Sequence, residues 1–231
     1  MGFLKLLKGS GLREQSKELG LVYDPMPPYE IIKTSTLSAE EMVQLKDIEG
    51  LLEQYYNSHR FSKTLALLTE KVYESPFQLF AEFARFFREC NLHQVSHSPL
   101  ALYDIFHDFI SGNHGGVLPL AREALKFDFL RTEAHRPLRD WMPDALGSDH
   151  REVRHGLLQD PEVQAGLSPL TLALPPRELA QSVRVGRFSP EFVEFLCNNE
   201  RDAGAGWIIF DHHTPDPWTS ESAYMVIKGE E

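Results

Sequence analysis

From Ser38 to about Tyr56 the chain places apolar residues three and four apart. Met42, Leu45, Ile48, Leu52 and Tyr55 share one side of a 3.6-residue helix. Ser38, with Glu41 three places on, forms a capping box: hydroxyl and carboxylate satisfy amides that a helix start leaves without partners. The period returns from Arg60 to about Tyr73. Ser75-Pro76 and Ser98-Pro99 mark two more starts, each a serine cap with proline at the first helical position. Behind the first, Phe80, Phe83, Phe87 and Cys90 lie on one face; behind the second, Leu102, Ile105, Phe106 and Phe109, up to a stop at Gly112-Asn113. Another helix is predicted over 118–130 with Ala121, Leu125 and Phe129 inward. The short connections predict antiparallel packing. Such aromatic stripes fit a bundle core better than the lining of a tetrapyrrole or substrate pocket.

After Arg131 breakers dominate: Pro137, Trp141-Met142-Pro143, Gly147, Pro161, Gly166, Pro169 and Pro175-Pro176 leave room for short helices alone. Past Glu178 the period falls to two. Residues 182–188, 206–211 and 223–227 read as strands, with a short helix over 191–197 opened by Pro190. At the other end, Phe3–Leu7 reads as a strand, Gly9-Ser10-Gly11 as a turn, and the next residues as an amphipathic helix stopping at Gly20. The prolines of Asp24-Pro25-Met26-Pro27-Pro28 fix φ and remove donors, which excludes helix there, and Glu30–Lys33 reads as extended. The fold expected is mainly α with a small antiparallel sheet, an α+β arrangement. Its parts are an opening unit and connector (1–33), a helical bundle (34–146), and an irregular segment with the sheet (147–231). A lone strand exposes an edge, so Phe3–Leu7 is expected to be disordered or paired with a strand from a neighbour.

Composition narrows the classes. Asp and Glu total 34 against 23 Lys and Arg, a formal charge of −11, which argues against nucleic-acid binding through a basic face. Fifteen Phe and seven Tyr argue against disorder. No stretch approaches the roughly 18 apolar residues of a membrane span. The opening apolar run is interrupted by Lys5 and Lys8, unlike a secretory signal, and Leu6 stands where myristoylation needs Ser or Thr. A cytoplasmic protein without a membrane span is expected. Cys90 and Cys197 lie far apart in apolar helical settings, where buried free thiols are the ordinary reading.

The most reactive-looking cluster is Asp211-His212-His213. Neighbours on a strand face opposite ways, so the two imidazoles do not share a metal, whereas Asp211 and His213 can face one way as a metal or acid–base pair; a solvated strand end is the alternative. His93 and His97 have helical ligand spacing, but the helix start at Ser98-Pro99 puts them in a loop. His150 and His155, five apart, do not align on a helix. Glu40-Glu41 and Glu230-Glu231 read as a helix start and a solvated tail. Neither a phosphate-binding glycine loop nor a nucleophile elbow is present. The chain carries no self-sufficient active site, and no catalytic, cofactor or metal residue is assigned.

The order Gly9-Ser10-Gly11-Leu12, helix, Gly20-Leu21-Val22-Tyr23, Pro27-Pro28-Tyr29-Glu30 resembles the last strand and helix of a radical S-adenosylmethionine (SAM) barrel. There a Gly-Thr-Pro-Leu turn precedes the helix; Ser10 and Gly11 replace Thr and Pro here. The Pro-Pro-Tyr-Glu segment is similar to the start of the C-terminal domain of unknown function in cobalamin-binding-domain radical SAM proteins. Those are often labelled anaerobic magnesium-protoporphyrin ester cyclases. The resemblance implies a parent oxidoreductase with a 4Fe–4S cluster, S-adenosylmethionine and cobalamin, performing methyl transfer or oxidative cyclisation on a small molecule. The cluster-binding C-x-x-x-C-x-x-C motif is absent, and two cysteines cannot supply the three or four thiolates a cluster takes. The resemblance therefore implies upstream radical SAM and cobalamin-binding domains as partners, with this chain binding no cofactor. Tyr29 and Glu30, leaving the barrel edge, become substrate-side candidates beside Asp211 and His213, with a structural hinge as their alternative. A stand-alone helical interaction module without catalysis is the competing expectation.

Overall fold

A computed structural model describes residues 2–143, 150–197, 206–219 and 221–228; the predicted break at Gly147 and the Glu230-Glu231 pair lie outside them. The chain divides into two compact units, Met1–Gln54 with Phe77–Ser96, and Tyr55–Pro76 with His97–Glu231.

In the first unit the opening run is neither disordered nor dependent on a neighbour. Lys5 forms an antiparallel bridge with Glu30; the Leu6 N–H donates to the Tyr29 carbonyl (2.9 Å) and the Ile31 N–H to the Leu4 carbonyl (3.0 Å). The predicted free edge is thus met by residues beyond the prolines, a long-range pairing that local pattern does not reveal. Leu6 is fully buried with Ile31 and Met42, against Phe3, Leu21, Tyr23, Leu37 and Leu45. Helix α1 is a single turn, Gly11–Glu14, shorter than its pattern suggested; hydrogen-bonded turns carry the chain to Gly20, whose φ of +63° suits glycine. Strands β1 (Val22–Tyr23) and β2 (Ile31–Lys33) pair antiparallel, so the proline segment is a loop between strands.

Helix α2 (Ala39–Leu51) carries the capping box as read: the Glu41 N–H donates to Ser38 Oγ and the Ser38 N–H to the Glu41 carboxylate. Those bonds hold the Glu41 carboxyl below its usual range. A π-helical turn, Leu52–Tyr56, continues it. Helix α4 (Pro76–Glu89) buries Leu79, Phe80, Phe83, Ala84 and Phe87. It ends before Cys90, which is exposed rather than buried, and Asn91 turns the chain with φ 54°.

The second unit is built round α6 (Leu118–Thr132), which packs on α3 (Ser62–Lys71), α5 (Pro99–Asn113), β3 (Val183–Phe188) and α11 (Pro190–Leu196). Nine of its fifteen residues are buried, including Lys126 and Asp128, so it lacks the polar face of a surface helix. Rings of Tyr55, Phe61, Tyr103 and Phe106 meet at 4.5–5.6 Å, which fills the core with the aromatic stripes. Short helices α7 (His150–Leu157), α8 (Pro161–Gly166), α9 (Pro169–Leu172) and α10 (Pro176–Ser182) follow, three of them with proline in the first turn. Strand β4 (Gly206–Asp211) pairs antiparallel with β3 on one side and β5 (Ala223–Lys228) on the other. Gly186 lets α6 close on this sheet: a Cβ there would stand 2.7 Å from Leu130 Cδ1 and 2.8 Å from Phe188 Cε2. The α+β expectation holds, with two small antiparallel sheets among the described residues in place of one.

Candidate functional site

Tyr29 and Glu30 sit where the opening run crosses the far end of the proline loop. α1 presents Arg13, whose guanidinium lies 4.9 Å from the centroids of both the Tyr23 and Tyr29 rings and donates to the Leu6 carbonyl at 3.2 Å. Such a cation between two π faces gains from each ring quadrupole. Tyr29 has φ 61°, a region that bulky side chains rarely enter. Glu30 turns the other way and pairs with Lys46 of α2. Both residues are half-buried, and each has a partner within its own unit. The cluster holds an aromatic–cation stack of Tyr23, Arg13 and Tyr29.

The second candidate pair separates. Asp211, 3% exposed, accepts Thr171 Oγ1 at 2.6 Å and the His213 backbone N–H at 3.0 Å. Its carboxylate thus ties α9 to the end of β4. His213 lies past the strand end and is exposed; it is joined to Asp211 through its backbone N–H, which donates to the carboxylate, and not through its imidazole. His212 is the more engaged imidazole. Nε2 lies 2.9 Å from the Leu130 carbonyl and Nδ1 2.6 Å from Ser222 Oγ. A carbonyl can only accept, so Nε2 carries the proton and Ser222 donates to Nδ1. Burial pulls the His212 imidazole down to about 4. Ser222 is fully buried, and its main chain is held by Arg131: the Ser222 N–H donates to the Arg131 carbonyl (3.1 Å) and Arg131 Nε to the Ser222 carbonyl (3.1 Å). This serine–histidine contact resembles a nucleophile and base in distance, but a fully buried hydroxyl meets no substrate. It fastens β5 to α6.

The other histidines do not assemble. His93 falls in a 3-10 turn, Leu92–Gln94, and His97 in irregular chain before α5, so their spacing is not helical. His155 is exposed on α7, and the side chain of His150 lies outside the described residues. Among the described residues no three His, Cys, Asp or Glu side chains converge on a metal position. A groove of about 810 Å³ runs between α2 and α4, lined by Leu45, Ile48, Ala81 and Ala84 and edged by exposed Phe77 and Arg88.

Periodicity also missed Asp128. From the middle of α6 its carboxylate reaches the start of α3, accepting the Lys63 N–H (3.1 Å), the Thr64 N–H (2.9 Å) and Thr64 Oγ1 (2.7 Å). It caps a helix whose own N-cap position, Phe61, has no side-chain acceptor. Burial nevertheless pushes this carboxyl up to about 7 against those donors. A charged residue between Phe127 and Phe129, inside an apolar stretch, was the available signal.

A family model described as "Protein of unknown function (DUF4080)" matches residues 17–210, beginning after the Gly9-Ser10-Gly11-Leu12 turn. That is most of the chain, and the chain belongs to this family. No curated protein and no solved structure matches it.

Proposed function

We propose that this chain is the C-terminal, substrate-side domain of a cobalamin-dependent radical SAM iron–sulfur enzyme of the methyl-transfer or oxidative-cyclisation class, and is not catalytic alone. One observation of the structure carries the reading. Within residues 4–32, Leu4, Leu7, Leu19, Val22, Met26 and Ile32 stand 42–67% exposed although Leu6 beside them is fully buried. Apolar side chains left in water over so short a stretch are what a surface made to be covered by another domain would present, and the stretch is the one whose residues resemble the end of a barrel. Tyr29 and Glu30, placed beside it, are the residues nearest a substrate in this proposal.

The cofactors belong to the upstream domains in this reading. Cys90 is exposed in one unit and Cys197 half-buried in the other, and two thiols fall short of the three or four a cluster takes. No step of the reaction is assigned to this chain's residues. They cover, position and exclude water.

The test is the genomic locus. The frame upstream of Met1 is read for C-x-x-x-C-x-x-C, and the longer protein is expressed anaerobically and reconstituted with iron and sulfide. A broad absorption that bleaches on reduction, bound corrinoid, and 5′-deoxyadenosine formed from S-adenosylmethionine are expected. A locus without the cysteine triad, or a colourless longer protein, overturns the proposal. The groove between α2 and α4, with Phe77 61% exposed at its edge, favours the second reading, an interaction module without catalysis, which that negative outcome would leave standing.

A further inference from the structure

The second unit contains a cavity of about 540 Å³ between β3, α7 and the 137–142 segment, a size suited to a small molecule. Three arginines line it, Arg139, Arg154 and Arg184, against a single acidic side chain, Asp140, which is exposed. In a chain of formal charge −11 that concentration of positive charge is out of keeping with the rest. The three are not equivalent. Arg139 is neutralised: its Nε and one terminal nitrogen meet the two oxygens of Asp104 at 2.9 and 2.6 Å, and Asp104 also accepts Trp141 Nε1 at 2.8 Å. Arg184 spends one terminal nitrogen on a neutral acceptor, the Glu133 carbonyl. The carboxylate of Glu133 is itself bound to Arg60 at 2.6 Å. Arg184 also lies against the Phe129 ring, 5.8 Å from its centroid. The guanidinium of half-buried Arg154 has no hydrogen-bond or ion-pair partner among the described residues.

We propose that this cavity binds a small anion through Arg154 and Arg184, whose guanidinium forks would grip the oxygens of a phosphate or carboxylate group. Guanidinium suits that task because its planar donors match both oxyanions two at a time. Two cations facing one cavity repel each other, and an anion between them removes that cost. Pairing with Asp104 keeps Arg139 fixed at the wall as a positioning residue. The site stands in the second unit and does not rest on the reading of the N-terminal segment above.

The experiment is titration calorimetry of the full chain with pyrophosphate and with citrate, in 50 mM and 300 mM NaCl. Saturable binding of at least one probe is expected, weakened severalfold by the higher salt, as partly exposed charges require. Arg154→Gln should weaken it at least fivefold, and Arg136→Gln, an exposed arginine that does not line the cavity, should leave it unchanged. Binding of pyrophosphate alone assigns a phosphate-bearing ligand; binding of citrate alone assigns a carboxylate. No saturable binding of either, a loss below fivefold in Arg154→Gln, or an equal loss in Arg136→Gln overturns the proposal. Each variant is first checked by circular dichroism in anion-free buffer. If Arg154→Gln has lost its fold, Arg154→Lys, which keeps the charge and loses the fork, takes its place under the same threshold.

Discussion

Replacing Asp128 with Asn tests whether burial or capping governs the centre of the second unit. The carboxylate holds two backbone N–H groups and one hydroxyl at the start of α3, and the residue is 2% exposed. An amide can accept with its oxygen but turns its NH₂ toward the other donors, leaving one buried N–H unsatisfied at about 1–3 kcal/mol. The pH dependence is more discriminating. The folded carboxyl titrates at about 7, raised by burial from 3.8. Between those values the folded chain keeps a proton that the unfolded chain has lost. The stabilisation is therefore complete below about 3.8 and is lost as pH rises to 7, at ~1.4 kcal/mol per unit. From pH 5 to pH 8 wild type should lose about 2–3 kcal/mol relative to Asp128→Asn, which has no such group. Urea unfolding at pH 5, 6, 7 and 8 measures the gap. Tryptophan fluorescence reports the right unit, because Trp141, Trp207 and Trp218 all lie there. The gap should narrow with rising pH. A gap that stays constant from pH 5 to pH 8 would mean that the three donors hold the carboxylate ionised, and the reasoning from burial would be refuted.

Other outcomes follow from the same packing. His212, neutral when folded and pulled down to about 4, gives stability that is present above about pH 6.5 and lost as pH falls toward 4. His212→Gln should remove a loss of about 1–2 kcal/mol between pH 7 and 5, read as a flatter dependence of the urea midpoint on pH; an unchanged slope counts against the buried neutral imidazole. Gly186→Ala should cost roughly 1–3 kcal/mol by forcing Leu130 and Phe188 apart, seen as a lower melting temperature, and a neutral result would mean that α6 can shift. Leu6→Ala should cost roughly 2–5 kcal/mol in the first unit, followed by hydrogen exchange at the amides of Leu6 and Ile31; unchanged protection would show that the opening run does not hold that core.

Much of the helical framework was legible because it is written locally. Ser38 and Glu41 settle one helix start, Ser98 another, and the alternation at 182–188 one strand. What escaped was non-local. The partner of Phe3–Leu7 lies across the proline loop, and no periodicity couples Lys5 to Glu30. Cys90 continues the apolar spacing of Phe80, Phe83 and Phe87, but the helix ends one residue before it. Asp128 was invisible as a cap because the helix it serves begins more than sixty residues away. The same holds for the candidate sites: the strand rule paired Asp211 with His213, but β4 ends at Asp211, and the histidine the rule set aside is the one that the fold employs. The arginine-lined cavity draws Arg184 from β3 and Arg154 from α7, and no motif spans that distance.

Tyr29 sets a constraint on how this family can drift. A left-handed backbone at that position favours glycine by an amount on the order of 1 kcal/mol, whereas the stacking on Arg13 needs an aromatic face. Two selective pressures of similar size therefore pull in opposite directions at one codon. Relatives should divide into two kinds, those that keep both the ring and the arginine, and those in which glycine or asparagine replaces the tyrosine and the arginine is released together with it.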